Sequence, residues 1–142
     1  MSSSTLYFEN NLASISSHPA GYVQLTYHAG KCALKDLQVV LQHTGDLLRR
    51  HRWSRLLEDQ HQLVPLTAEG QQVMTGYWQQ QTHVLGHSLC VATVLAQNVF
   101  TRLATATLRH NMQTADISYR LFHDAPAADS WLQTQRRGPR LN

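Results

Sequence analysis

Over residues 22–28, "YVQLTYH", apolar and polar positions alternate: Val23, Leu25 and Tyr27 are separated by Gln24, Thr26 and His28. A period of two marks a strand with one buried face. "LYFEN" (6–10) and "LASIS" (12–16) predict two further strands, and "SHPAG" supplies Pro19 and Gly21 for the turn between the second and third. The period then lengthens. In "CALKDLQVVLQHTGDLLRRH" (32–51), Leu34, Leu37, Leu41 and Leu48 return on one helical face, with Val40 and Leu47 beside them. Gly45 is a weak point in this helix, where a bend is expected.

The rest of the chain alternates between the two periods. Trp53, Leu56 and Leu57 open a strand that ends at Glu58 and Asp59. "LVPLTAEGQQVMTGYWQQQ" begins a second helix, with Thr67 as N-cap, Glu69 in its first turn and an apolar stripe of Val73, Met74, Tyr77 and Trp78. "SLCVATVLA" is apolar almost throughout, as a strand covered on both faces should be. "NVFTRLATATLRH" predicts a third helix capped by Asn98, with Val99, Leu103 and Leu108 inward. "DISYRLFH" alternates again. "DAPAADSWLQTQ" predicts a last helix capped by Asp124, with Pro126 in its first turn and Trp131 and Leu132 docking it on the sheet. The predicted fold is α/β: a single-domain mixed sheet over residues 1–133, mostly parallel in its later strands, with four helices.

Composition changes this picture little. The 142 residues are 42% hydrophobic and 15% charged, enough to bury a core in one domain. The formal charge of +3 is local: Arg136, Arg137 and Arg140 lie in the last seven residues, and without them nine basic residues face nine acidic ones. Residues 134–142 are therefore expected to form a basic, flexible tail. Arg49, Arg50, Arg52 and Arg55 cluster at a predicted helix end, where cations complement the dipole. No nucleic-acid motif accompanies either cluster, so no nucleic-acid partner is expected. Apolar runs are too short to span a bilayer, the N-terminus lacks the pattern of a secretion signal, and only Cys32 and Cys90 are present. Membrane insertion is not expected, and a cytoplasmic location with both thiols reduced is.

Three stretches resemble the STAS-like superfamily, which includes the bacterial anti-sigma-factor antagonists and shares its layout with CRAL-TRIO lipid-binding domains. These are "WSRLLEDQHQLVPLTAEGQQVMTGYW", "SLCVATVLAQNVF" and "SYRLFHDAPAADSWL". The similarity is closest to small stand-alone bacterial members, and the three stretches are largely explained by fold requirements. The resemblance implies a non-enzymatic module that binds a partner protein or a small ligand in bacterial signalling. It also implies a phosphorylatable Ser after an Asp at a helix start. Here Asp59 is followed by Gln60, and Thr67 is the nearest hydroxyl at such a position, which makes it the candidate phospho-site.

Candidate chemistry is sparse. Glu58 and Asp59 should sit at the carboxyl end of a strand, where open α/β sheets bind ligands. Adjacent residues of a strand point to opposite faces, so the two do not form a catalytic dyad. Either one alone can face a ligand, accept from backbone amides or pair with Arg120. Nine histidines are present, with no His-Glu-x-x-His or Cys-x-x-Cys pattern; His83 and His87 are spaced i, i+4 across Gly86, and with His61 they are the ones able to share a rim. No nucleophile elbow or phosphate loop occurs, and Cys90 lies in the most apolar strand. Neither enzymatic activity nor a cofactor is expected. Adjacent Tyr77 and Trp78 are the candidate partner surface and suggest a homodimer; the alternative is a carrier of a small apolar ligand or lipid in a cleft beside them.

Overall fold

The computed structural model describes residues 4–86, 88–112 and 117–135, apart from the side chains of 82–84 and 111–112. The tail arginines and the side chains of His83 and His87 therefore lie outside the described residues. The alternating segments form strands β1 (Thr5–Glu9), β2 (Ala13–His18) and β3 (Tyr22–Tyr27), which pair antiparallel. From β3 onward each strand is followed by a helix: α1 (Leu34–His51), β4 (Arg55–Asp59), α2 (Ala68–Leu85), β5 (Leu89–Val94), α3 (Val99–Met112), β6 (Ile117–Phe122) and α4 (Ala125–Gln133). β3 to β6 pair parallel, and all six strands lie in the order of the chain. The predicted mixed α/β sheet with four helices is the fold observed.

Sequential strand order has a physical consequence. Crossovers that always step the same way with the same hand put their helices on one face of the sheet. Accordingly Leu37, Leu41 and Leu48 of α1, Met74 and Trp78 of α2 and Leu108 of α3 share one core with Leu25, Leu56, Val91 and Tyr119. Among the described residues only α4 covers the opposite face, where Ala128 and Leu132 pack on Tyr22, Leu57, Ala92 and Val94. Asp124 caps α4 by accepting from the Ala127 N–H at 2.8 Å, with Pro126 in the first turn as predicted.

Two sequence expectations are corrected here. Val99 and Leu103 are exposed, not inward; α3 turns Thr101, Thr105 and Leu108 toward the core instead. The hydroxyls face in because they have partners there: Thr101 donates to the Leu63 carbonyl at 3.2 Å and Thr105 to the Gln60 side chain at 2.6 Å. Arg55 does not belong with Arg49 and Arg50, which are exposed in the last turn of α1. It is fully buried on the α4 face, donating to the Leu132 carbonyl at 2.7 Å, to Gly21 at 3.1 Å and to Ala20. No helix among the described residues is long and apolar enough to cross a membrane.

Candidate functional site

β4 leaves the middle of the sheet pointing its last residues at the gap between α2 and α3. Glu58, on the helix-covered side, is completely buried. Its Oε1 accepts from the Gln60 amide and from the Tyr119 hydroxyl at 3.3 Å. Its Oε2, with the hydroxyls of Tyr27 and Thr93, makes no hydrogen bond of regular geometry among the described residues. Burial drives the Glu58 carboxyl up from an ordinary value of 4.5 to about 7, against the lowering effect of the Gln60, Tyr119 and Thr93 donors beside it. The Tyr27 and Tyr119 phenols, also fully buried, are held well above their usual range by burial and then by the Glu58 charge. Both therefore keep their protons wherever Glu58 titrates.

Gln60 carries this buried group outward. Its Nε2 donates to Glu58 and its Oε1 accepts from Thr105, so the amide is held at both ends. Gln60 and Thr105 then form part of the wall of a cavity of about 60 Å³ between α2 and α3. Leu63, Met74 and Leu108 give that cavity an apolar side. The site thus lies beyond the carboxyl end of β4, where ligand sites of open α/β sheets occur.

The other predicted residues are not gathered here. Asp59 points to the α4 side, and its Oδ1 accepts from the His61 N–H at 2.9 Å, a local turn that ends the strand. No ion pair joins it to Arg120, which is exposed and stands over the rings of Phe122 (5.8 Å) and Trp131 (5.9 Å). Trp78 is core rather than partner surface, being 1% exposed. Tyr77, half-buried, meets it edge to face, with ring centroids 4.9 Å apart. Neither lines the cavity between α2 and α3. Thr67 is exposed and acts as the N-cap of α2, accepting from the Gly70 N–H at 3.1 Å. His61 is exposed, and among the described residues no three metal-ligating side chains converge.

Sequence reasoning missed Gln60, Thr101 and Thr105. One signal was present: Thr101, Ala104, Thr105 and Leu108 recur at i, i+3, i+4 and i+7, the spacing of an inward stripe made of small and hydroxyl residues.

The outer surface of α3 is the second feature. Val99 (51% exposed), Phe100 (68%) and Leu103 (62%) stand together on its first turns. Phe100 also shares a helix stripe with Ala104 and Thr107, two residues of the cavity wall. No protein-family model, no curated protein and no solved structure matches the chain.

Proposed function

We propose that the chain is a non-enzymatic, STAS-like interaction module of bacterial signalling that acts in the cytoplasm and binds a partner protein through α3. The observation that carries the reading is the cluster of Val99, Phe100 and Leu103, three large apolar side chains more than half exposed on one helix. Contiguous apolar surface of this kind on a folded domain marks an interaction site, and aromatic residues are enriched at such sites. The parallel strands in chain order support the STAS-like kinship. The cavity wall supports a binding rather than a catalytic role, because its residues offer no carboxylate, imidazole or thiol.

The test places a photo-reactive residue at position 103, and a control at exposed Gln38 on α1, in cells of the native host. A discrete adduct at 103 and none at 38 is the expected result, with mass spectrometry identifying the partner. The partner can be a second copy of the chain, in which case sedimentation velocity shows concentration-dependent dimers that Phe100→Asp/Leu103→Asp abolishes. Absence of both adduct and self-association overturns the reading.

A further inference from the structure

We infer that the cavity between α2 and α3 is a binding site for a small neutral ligand, a short apolar chain bearing one hydroxyl group. This inference is independent of the α3 surface. Charge comes first. None of the described residues lining the cavity is charged, so an ionic ligand would shed its hydration without gaining a counter-charge there. Size comes second. The volume of about 60 Å³ is well under half that of the apolar cavities of about 150 Å³ known to admit benzene, which limits the enclosed part to about two or three carbon atoms.

The hydroxyl follows from counting donors and acceptors. Thr101 and Thr105 have each committed their hydroxyl hydrogen inside the protein, to Leu63 O and Gln60 Oε1, so each presents an oxygen that can only accept. Gln60 has given one amide hydrogen to Glu58 and keeps a second to donate. All three side chains are more than nine-tenths buried in the wall of the cavity. Of these three side chains, a ligand carbonyl would satisfy only the Gln60 donor. A hydroxyl both donates and accepts, and so meets one of the threonine oxygens and the glutamine amide together. Leu63, Met74 and Leu108 supply the apolar side for the carbon chain.

The orientation of the amide is set from behind. With Glu58 ionised, only Nε2 can face it, which leaves Oε1 for Thr105. Glu58 is therefore a positioning residue for the site and does not itself line the cavity.

The experiment is a titration of the intact protein with 1-butanol, followed by NMR of the Met74 methyl and the Gln60 side-chain amide. Butyrate and n-butylammonium serve as charged probes of similar length. Saturable shifts at both positions are expected, with a dissociation constant on the order of millimolar for about five heavy atoms. The charged probes should bind at least about tenfold more weakly, and Thr105→Val should weaken butanol by about tenfold through loss of one hydrogen bond. Ala104→Leu, which fills the cavity with an apolar side chain, should abolish the shifts while the remaining spectrum stays folded. Shifts that do not saturate, equal binding of a charged probe, or butanol binding that survives Ala104→Leu would each overturn the assignment.

Discussion

Thr105 on α3 donates a 2.6 Å hydrogen bond to the side chain of Gln60, which leaves β4 and in turn donates to buried Glu58. One hydroxyl thus fastens a crossover helix to a polar group inside the core. Thr105→Val keeps the shape but leaves Gln60 Oε1 without its donor, and should cost about 1–3 kcal/mol. If the bond is the cause, Gln60→Leu in the same chain removes the orphaned acceptor, and the double variant should lose less than the sum of the two singles. Urea titrations of the four proteins measure this coupling. Simple additivity would show that the pair contributes nothing beyond its separate contacts.

Glu58 gives a pH dependence of defined sign. Its folded-state value, about 7, lies above its ordinary 4.5, so between these limits the folded chain holds a proton that the unfolded chain has released. Stability from this group is therefore fully present below about pH 4.5 and is lost as pH rises through 7. The full difference amounts to about 3 kcal/mol. Glu58→Gln cannot ionise and should remove this part of the decline. The test is the wild-type minus variant difference in unfolding free energy from pH 4.5 to 8. A difference that does not change across that range would place the Glu58 carboxyl near its ordinary value.

These two groups also show where sequence reading stops. Strand and helix periods located every element because alternation and helical repeats are local properties. They mispredicted which way α3 faces, since apolar periodicity sends leucines inward while the core at Gln60 calls for hydroxyls. Adjacent Tyr77 and Trp78 read as a candidate partner surface because one face of a helix rarely buries two neighbouring aromatics completely. α2 lies between α1 and α3 and so buries a wider arc than a helix resting on a sheet alone. In "RLLED" four successive residues are buried, since α4 covers one side of β4 and the crossover helices the other. No local pattern distinguishes such a carboxylate from the polar rim of a sheet.

Arg55 is the counterpart of Glu58 on the α4 face, and it has its own prediction. Its guanidinium holds the C-terminal carbonyl of α4 at Leu132 and the turn carbonyls of Ala20 and Gly21 against β4. Arg55→Met retains much of the volume but removes the guanidinium donors from the Ala20, Gly21 and Leu132 carbonyls, the last of which still accepts from the Gln135 N–H, and should cost about 3 kcal/mol. Arg55→Lys should fall in between, because one ammonium cannot span groups that a planar fork reaches together. Hydrogen exchange should rise most in α4, ahead of α1 to α3. Uniform acceleration across all helices would mean that Arg55 stabilises the whole core and not this junction.

Two glycines offer the same substitution with opposite expected signs. Gly45 is buried in α1, where an added Cβ would collide with the Tyr77 hydroxyl and come within 2.9 Å of Gln81 Oε1. Gly76 lies in α2 with nothing within 4 Å of that position. Alanine favours a helix interior by about 1 kcal/mol over glycine, so Gly76→Ala should stabilise by about 0.5–1 kcal/mol. At Gly45 the collision outweighs the gain, and Gly45→Ala should destabilise by about 1–3 kcal/mol. Tyr77→Phe removes the obstructing oxygen and should recover part of that loss in the double variant. Thermal unfolding of the three variants beside wild type decides the matter: a stabilising Gly45→Ala would mean that Tyr77 swings aside at little cost and does not pin α2 to α1.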